Sequence, residues 1–233
     1  MRVFYKGFNF SQDGPGNRLV YHLKGCNMQC PWCSNPEGMS FEGGIDYQTD
    51  QIVAECIRSR AMFFSGGGVT FTGGEATMQP KDLIETLKQL KAAGIHTALE
   101  TNGTSPHLRN IQEYVDYLIM DFKHYDPEAF LKFTGTDIGE LLKNYEYLQN
   151  IGRQLHIRIP LINHVNVDHP EGFARYFSLF HNKNTVYEFL PYHEFGKNKW
   201  QTAYQIQDGF VSSEQLNTFK KVFKDYCLNT VNT

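Results

Sequence analysis

Three of the five cysteines in this chain stand close together, and their spacing suggests a metal centre. Cys26, Cys30 and Cys33 follow the pattern C-x3-C-x2-C. Thiolates this close in sequence can bind one metal centre without long-range folding. A structural zinc ion or a closed four-iron cluster normally takes four protein ligands, whereas this motif supplies three. Three thiolates on a [4Fe-4S] cluster would leave one iron able to bind a further molecule.

Two other interpretations of the cysteines stay open on spacing alone. One is a zinc site completed by a nearby residue such as His22, which would make the chain a zinc-binding interaction module without catalysis. The other is three unrelated buried cysteines, which the tight spacing disfavours. The remaining cysteines, Cys56 and Cys227, follow apolar residues at helical spacing. We predict both in the core, where a free cysteine behaves as a small hydrophobe.

Length and composition predict an ordinary globular protein. The 233 residues suffice for a sizeable core, and we predict one domain over residues 1–233. Hydrophobic residues make up 41% and charged residues 20% of the chain, and a net charge of −3 provides no basic field for nucleic acid. No apolar run suits a signal peptide or a membrane span, so we expect no membrane association. Few, clustered cysteines favour the reducing cytoplasm.

The elements that must position the cysteines alternate between strands and helices. Residues 1–17 are predicted to be irregular and to end in a turn-rich loop. Strands are predicted over residues 18–24, 69–72, 96–100, 117–123, 154–162 and 185–192. Helices are predicted over residues 50–60, 80–93, 106–115, 139–150 and 170–180, with a last helix capped by Ser212 or Ser213. This alternation implies a parallel sheet with right-handed crossovers, and six units are too few for a closed eight-stranded barrel. We therefore predict an α/β fold with an open, curved (β/α)6 sheet, a partial TIM-like barrel with outer helices.

Polar residues follow the predicted strands at the ends that share a face with the cysteines. Because the carboxyl ends of parallel strands lie on one face, we expect these residues to gather at one rim. In strand order they are Gly73, Gly74 and Glu75, then Glu100 and Thr101, then Asp121 and Lys123, then Arg158, and finally His193. Each has a structural alternative, such as a tight turn for the glycines or an ion pair for Arg158. Adjacent glycines also let a ligand approach the backbone closely.

The cysteine motif, with an aromatic Trp32 before its third cysteine, resembles the radical S-adenosylmethionine (SAM) superfamily. In that superfamily the open iron of the [4Fe-4S] cluster chelates the amino nitrogen and a carboxylate oxygen of SAM. An electron from the reduced cluster then splits the sulfonium and yields a 5′-deoxyadenosyl radical. The resemblance implies the fold class predicted above.

Further motifs resemble one branch of that superfamily, the glycyl radical enzyme-activating enzymes. They are D-G-P-G-x-R at residues 13–18, S-G-G-G-V-T at 65–70, G-G-E-A at 73–76, a D-T-N-G counterpart at 100–103, a D-L-K counterpart at 121–123 and L-P-Y-H-x-x-G-x-x-K-W at 190–200. The resemblance covers nearly the whole chain. It is closest to the pyruvate formate-lyase activating enzymes, in a short form, since residues 36–49 hold no cysteine of an inserted ferredoxin-like domain.

The resemblance implies a role for each matching residue of the cofactor site. Cys26, Cys30 and Cys33 would hold the cluster and form the catalytic centre. The residues expected to bind SAM are Trp32, Cys33 and Ser34 at the adenine, Gly73, Gly74 and Glu75 at the amino group, Thr101 beside the methionine moiety, and Asp121, Lys123 and His193 at the ribose and carboxylate. Glu100, Thr101 and Asp121 resemble a monovalent-cation site, with Glu100 in place of the family's Asp.

The implied reaction is activation of a partner glycyl radical enzyme by removal of a hydrogen atom from one of its backbone glycines. Asp13 and Arg158 would contact the glycine loop of that partner. The resemblance further implies an oxidoreductase working under anaerobic conditions, a flavodoxin or ferredoxin as electron donor, and a monomer. Residues 32–37, W-C-S-N-P-E, look more like the longer activating enzymes. An alternative is therefore a radical SAM enzyme that modifies a small molecule or a short peptide.

Overall fold

The computed structural model describes residues 1–231, and within this range eight strands form one open sheet. The strands are β1 (Arg2–Phe10), β2 (Asn17–Leu23), β3 (Ile45–Asp46), β4 (Gly68–Gly73), β5 (Thr97–Thr101), β6 (Tyr117–Asp121), β7 (Leu155–Leu161) and β8 (Thr185–Pro191). Their order in the sheet is β3-β1-β2-β4-β5-β6-β7-β8. The pairs β2–β4, β4–β5 and β7–β8 are parallel, whereas β1 pairs antiparallel with β2 and with β3.

Seven α-helices alternate with these strands over the described residues. They are α1 (Thr49–Arg58), α2 (Pro80–Ala92), α3 (Leu108–Ile111), α4 (Pro127–Thr134), α5 (Gly139–Asn150), α6 (Pro170–Leu179) and α7 (Ser213–Asp225). Strands β2 and β4–β8 are the six predicted ones, so the α/β class and the open, mostly parallel sheet are confirmed. No helix within residues 1–231 combines the length and apolar character needed to cross a bilayer.

The prediction of an irregular N-terminal segment was wrong, because residues 2–10 form strand β1. Tyr5, Phe8 and Phe10 are all exposed, so the strand lacks the strict apolar alternation that marks a half-buried strand. Its aromatic content was the available indication of β structure.

Helix α4 was not predicted, although its boundaries carry the usual sequence features. Asp126 caps it by accepting a hydrogen bond from the Ala129 amide, and Pro127 occupies its first turn. Gly135 ends it in the left-handed conformation, with φ of 73°. The predicted helix 106–115 is shorter, since α3 passes into a 3-10 turn over Gln112–Tyr114.

The chain divides into two compact units. The first comprises Met1–Asn27, Asn35–Thr101 and Ser105–Ile119, and the second comprises Met28–Ser34, Asn102–Thr104 and the chain from Met120 onwards. The single domain over residues 1–233 stays a prediction, and its last two residues lie outside the described part of the chain.

The core of the first unit is built on β2, β4 and the helix pair α1 and α2. Tyr21 of β2 and Phe71 of β4 are fully buried, and their rings stack with centroids 5.7 Å apart. Leu83 and Leu87 of α2 are fully buried as well, as the helical spacing of the apolar residues predicts. Burial of each such side chain contributes about 2 kcal/mol. This packing fixes the ends of β2 and β4, which lead into the candidate site residues.

The second unit has an aromatic core supplied by Phe122, which follows β6, by β8 and by helices α6 and α7. Phe177 of α6 lies 4.7 Å from Phe122 and 4.8 Å from Tyr187, measured between ring centroids. Phe189 of β8 meets Phe223 of α7 edge to face at 4.8 Å. Edge-to-face pairs add about 1 kcal/mol to the burial of their rings. The core therefore holds rigidly the strands that end at Asp121 and Pro191.

Candidate functional site

The three clustered cysteines belong to both compact units. Cys26 lies in the first unit, and Cys30 and Cys33 lie in the second. Over residues 1–231, neither unit by itself groups three His, Cys, Asp or Glu side chains as a metal site. Binding of a cluster by the three sulfurs therefore stays a prediction, and the surroundings of each cysteine are described within its own unit.

The backbone around Cys26 is fixed at the end of β2. The Gly25 amide donates to the Gly38 carbonyl at 2.8 Å, and the Cys26 amide donates to the Met39 carbonyl at 3.0 Å. Gly25 adopts φ of 92°, and a Cβ at this position would lie 2.3 Å from the ring of Phe41. Only glycine fits here, so the chain enters the cysteine loop along one defined path.

Gly73 and Gly74, which end β4, pack tightly against the same part of the chain. A Cβ on Gly73 would lie 2.3 Å from the Leu23 nitrogen, and one on Gly74 would lie 2.5 Å from the Gly25 carbonyl oxygen. The Gly74 amide donates to the Leu23 carbonyl, and the Glu75 amide donates to the Gly25 carbonyl. The glycines thus have a packing role, and they bring the G-G-E turn against the start of the cysteine loop.

The Glu75 carboxylate is buried and organises its own loop. Its Oε1 atom accepts hydrogen bonds from the amide and hydroxyl of Thr77, and from the Thr101 hydroxyl at 2.7 Å. Glu100 is half-buried, and its Oε2 accepts from the Thr72 hydroxyl at 2.9 Å. Glu75, Glu100 and Thr101 therefore lie at neighbouring strand ends of the first unit, as predicted. Asp121 belongs to the second unit, so the cation site stays a prediction.

Asp13 lies on the loop between β1 and β2, and the buried Arg18 holds that loop. Arg18 donates to the Pro15 carbonyl at 3.0 Å, to the Thr70 hydroxyl at 2.6 Å and to the Val69 carbonyl at 2.7 Å. The Thr70 hydroxyl in turn donates to the Asp13 carbonyl. Burial lowers the pKa of Arg18 to about 10, so the group remains charged at neutral pH. The D-G-P-G-N-R motif is thus a compact structural element that carries the Asp13 carboxylate.

Lys123 lies among negative groups of the second unit. Its Nζ pairs with Asp121 Oδ2 at 3.0 Å. Burial alone would lower the pKa of Lys123, but Asp121 and the thiolates of Cys30 and Cys33 outweigh burial and raise that pKa. The structure therefore brings two of the cysteines, Asp121 and Lys123 into one charged group, as the convergence of strand ends predicted.

Residues 196–200, which had no assigned role in the sequence, contact the cysteine loop directly. Trp200 Nε1 donates to the Cys33 carbonyl at 3.1 Å, and Lys199 Nζ donates to the Ser34 carbonyl at 3.0 Å. A Cβ on Gly196 would lie 2.5 Å from the Cα of Ser34. These residues form the second half of the P-Y-H-x-x-G-x-x-K-W motif, so the motif indicated their importance without indicating their partners.

Two further predicted residues have identifiable partners in the second unit. His193 is exposed and stacks on Phe195, and its Nδ1 accepts from the Phe195 amide at 3.4 Å. Arg158 is buried and its Nε donates to Glu188 at 2.7 Å. The structural alternative for Arg158, an ion pair with a neighbouring acid, is therefore realised. A contact with a partner protein stays a prediction for this residue.

Trp32 packs beside Phe133 with ring centroids 6.0 Å apart, and the Cys33 amide closes a turn onto the Cys30 carbonyl at 3.1 Å. The loop is also fixed by the Gln29 amide, which donates to the Thr134 carbonyl at the end of α4. The unpredicted helix α4 thus supports the cysteine loop.

Comparison with known proteins matches the chain to one family. A family model described as the radical SAM superfamily matches residues 20–177, which include the three clustered cysteines and the strand ends up to Arg158. The matched residues carry most of the candidate site.

Individual relatives match over nearly the whole length. A protein named pyruvate formate-lyase-activating enzyme from Clostridium pasteurianum is 33% identical over 221 residues, which cover 91% of this chain and 92% of the relative. A protein named trans-4-hydroxy-L-proline dehydratase activating enzyme from Clostridioides difficile is 28% identical over 284 residues, covering 94% of each. That alignment is longer than the present chain of 233 residues, so it includes segments of the relative that this chain lacks.

A solved structure resembles the fold as well. It is described as a domain of pyruvate-formate lyase-activating enzyme from Bacteroides vulgatus ATCC 8482 and superposes with a TM-score of 0.59 at 28% identity. The match covers 71% of this chain and 98% of that structure.

Proposed function

Because the chain belongs to the radical SAM superfamily and, within it, to the family of the glycyl radical enzyme-activating enzymes, we propose that it removes a hydrogen atom from a backbone glycine of a partner glycyl radical enzyme. The observation that carries this proposal is the 33% identity over 91% of the chain to an enzyme named for activating pyruvate formate-lyase. The motifs at residues 13–18 and 190–200 lie outside the generic match to residues 20–177 or at its edge, and they support the more specific assignment.

The cysteines fit a [4Fe-4S] cluster by their chemistry. Thiolates are the ligands that such clusters use, and three of them leave one iron for SAM. Lys123 lies close enough to Cys30 and Cys33 for its charge to interact with their sulfur atoms, so a cation is present beside two of the proposed ligands. When bound and reduced, the cluster would pass one electron to SAM and so supply the 5′-deoxyadenosyl radical that takes the glycine hydrogen, leaving methionine and 5′-deoxyadenosine.

The residues proposed for SAM offer groups that complement it. An ammonium group can only donate hydrogen bonds, and the amides of Gly74 and Glu75 are already bonded to the chain's own carbonyls. At the turn formed by Gly73, Gly74 and Glu75 the SAM amino group would therefore meet hydrogen-bond acceptors and no free amide donor of Gly74 or Glu75. His193 accepts at Nδ1, so its neutral ring carries the proton on Nε2 and can donate to the ribose or carboxylate. Lys123 would pair with the SAM carboxylate, and Trp32 to Ser34 would lie at the adenine.

A monovalent cation would complete the site beside the methionine moiety. Glu100 and Thr101 supply oxygen atoms at the end of β5, and Asp121 supplies a carboxylate at the end of β6. Hard cations prefer such oxygen ligands. The hydroxyl hydrogen of Thr101 is donated to Glu75 at 2.7 Å, so the hydroxyl acts towards other groups as an acceptor.

The protein substrate would be recognised at Asp13 and Arg158. Asp13 is carried by the loop that Arg18 holds in place, and Arg158 is held by Glu188. Asp13 is thus presented from a fixed backbone, and the Arg158 side chain is held in one orientation, which lowers the entropy cost of docking a glycine loop. A flavodoxin or ferredoxin as electron donor, a monomeric state, the absence of nucleic acid and membrane partners, and a cytoplasmic location complete the proposal.

The proposal is tested by electron paramagnetic resonance under strictly anaerobic conditions. The iron-loaded, chemically reduced protein is mixed with SAM and either pyruvate formate-lyase or trans-4-hydroxy-L-proline dehydratase. We expect a stable glycine-centred doublet, with one 5′-deoxyadenosine formed for each radical. A partner whose radical glycine is replaced by alanine serves as the control. Cleavage of SAM without a doublet on any glycyl radical enzyme of the same genome would reject the glycine step and favour a small-molecule or peptide substrate.

A further inference from the structure

The segment formed by Gly196, Lys197, Asn198, Lys199 and Trp200, here termed the latch, is fixed against the third cysteine. Trp200 Nε1 and Lys199 Nζ donate to the consecutive carbonyl oxygens of Cys33 and Ser34 at 3.1 and 3.0 Å. Gly196 has no room for a side chain because the Ser34 backbone occupies that space. The latch and the cysteine loop are more than 160 residues apart in sequence, so this contact is purely tertiary.

The latch is itself braced by the hydrophobic cluster that supports the cysteine loop. The Trp200 ring meets the Tyr204 ring at 5.8 Å, and the Tyr204 hydroxyl receives a hydrogen bond from Tyr192 at 2.9 Å. Tyr204 and Trp32 both pack against the buried cluster of Ile162, Val165 and Tyr192. The two hydrogen bonds therefore join elements that each rest on the same rigid support.

We propose that Lys199 and Trp200 are positioning residues that hold the Cys33–Ser34 backbone and thereby fix the direction of the third sulfur ligand. The inference rests on the proposed function in that Cys33 must be a cluster ligand. The Cys33 amide already donates to Cys30, so the Trp200 bond leaves both backbone polar groups of Cys33 engaged. A backbone fixed in this way leaves the sulfur few orientations and makes dissociation of the ligand slower.

The two donors contribute unequally. The hydrogen bond from Trp200 is partly buried, whereas the one from Lys199 is exposed to solvent. A hydrogen bond shielded from water contributes more than one in which water replaces the donor at little cost. We therefore expect Trp200 to dominate the effect.

Four variants separate the hydrogen bonds from the packing. Trp200→Phe keeps an aromatic ring against Tyr204 and removes the donor, and Lys199→Met keeps the aliphatic stem and removes the ammonium. Lys199→Arg keeps a charged hydrogen-bond donor at this position and should therefore retain the wild-type rate of iron loss. Lys197→Met is the matched control, since Lys197 lies in the same segment but pairs with Glu194.

The measurement is the rate at which an iron chelator removes iron from the anaerobically loaded protein, together with the spectrum of the reduced cluster and the melting temperature of the cluster-free protein. Loss of both hydrogen bonds in the double variant, which combines Trp200→Phe with Lys199→Met, should raise the rate of iron loss about tenfold, with an altered cluster spectrum and a melting temperature near that of the wild type. Lys197→Met and Lys199→Arg should behave as the wild type does.

Equal rates of iron loss and identical spectra in the wild type and the double variant would overturn the inference while leaving the proposed function intact. Faster iron loss in the double variant, with no glycyl radical on any partner, would support the inference and reject only the glycine step. A wild-type protein that assembles no cluster would overturn both.

Discussion

Lys123 illustrates at the scale of one residue how this site balances charge. Asp121 and the thiolates of Cys30 and Cys33 surround the ammonium and raise its pKa despite burial. A buried cation and its negative neighbours stabilise one another electrostatically. Removal of one of these groups therefore leaves an uncompensated buried charge.

Removal of one proposed ligand should abolish cluster assembly. Cys30→Ala leaves two sulfurs, too few to retain a [4Fe-4S] cluster, so we expect iron content to fall at least tenfold and SAM cleavage to disappear. Iron analysis after anaerobic reconstitution provides the measurement. Cys227→Ala is the control, because Cys227 is exposed rather than in the predicted core, and it should bind iron as the wild type does. SAM cleavage retained in Cys30→Ala would contradict the ligand assignment.

Replacement of His193 should weaken SAM binding and leave the iron content unchanged. Replacing the exposed imidazole by Ala removes one proposed hydrogen bond to the cofactor, which corresponds to about 1–2 kcal/mol or a tenfold rise in the Kd for SAM. Equilibrium dialysis of the loaded protein measures this constant, and iron analysis should show full occupancy. An unchanged Kd, or loss of iron, would remove His193 from the proposed SAM site.

Sequence reasoning placed most candidate residues correctly at strand ends but did not find their partners. Gly73, Thr101 and Asp121 are the last residues of β4, β5 and β6, as the alternation of elements predicted. The bonds from Trp200 to Cys33 and from Arg158 to Glu188 join residues with no periodic relation in sequence. Only the three-dimensional fold reveals such pairs.

At the scale of elements, β7 and β8 are joined by a charged pair as well as by their backbones. Arg158 and Glu188 are directly opposite in the parallel register, and His156 also contacts Glu188 at 3.0 Å. Burial raises the pKa of Glu188, but the hydrogen bonds from His156 and Arg158 outweigh it and lower the pKa to about 2. The free energy of unfolding should therefore depend on pH through the ionisation of Glu188.

This pair should make stability fall in acid. Since the folded-state pKa of Glu188 lies below its ordinary value of 4.5, its contribution is complete above about pH 4.5 and is lost as the pH falls towards 2. Glu188→Gln should lower the free energy of unfolding by about 3 kcal/mol at pH 7 and flatten its dependence on pH between 5 and 3. Urea unfolding of the cluster-free protein checks both, and parallel pH curves for wild type and variant would contradict the assignment. Glu194→Gln, which removes an exposed pair with Lys197, is the control.

The close packing of the Gly16 loop against residues 64–67 of the first unit provides a second test at the scale of elements. Gly16 has φ of 68°, and a Cβ there would lie 2.4 Å from the Gly67 nitrogen and 2.5 Å from the Phe64 carbonyl oxygen. Gly43 has a similar φ of 73° but open space around it. Gly43→Ala should therefore cost only the left-handed strain of about 1 kcal/mol, and Gly16→Ala about 2 kcal/mol more. Chemical denaturation measures the difference, and equal costs would show that the loops separate readily.

Strands β2 and β4–β8 were predicted because they are largely apolar and alternate with helices. Strands β1 and β3 were not, because several apolar side chains of β1 are exposed and β3 has only two residues. Helix α4 was missed because its eight residues follow a strand without the long periodic run that marks α2. Short elements are specified by their caps and their tertiary contacts more than by periodicity.

At the scale of the whole molecule, the chain distributes its candidate site residues over two compact units, and it passes from one unit to the other five times. The net charge of −3 adds no long-range field that would attract a nucleic acid. Recognition of a partner then depends on local groups such as Asp13 and on shape.

Binding of SAM should stabilise the loaded protein and not the cluster-free protein. A ligand present at one hundred times its Kd adds about 2.7 kcal/mol, which raises the melting temperature by about 5–10 °C for a chain of this size. Anaerobic calorimetry with and without SAM provides the measurement. The Cys30→Ala variant should show no shift, and an equal shift in that variant would mean that SAM binds independently of the cysteines.

The latch holds the cysteine loop by its main-chain carbonyls, and every amino acid supplies a carbonyl. Position 34 is therefore free to change its side chain without releasing the neighbouring sulfur. The anchoring bond from Lys199 does not depend on which side chain stands at that position. The surface beside the third cysteine can accordingly vary in chemistry while the backbone of the loop keeps both of its hydrogen bonds to the latch.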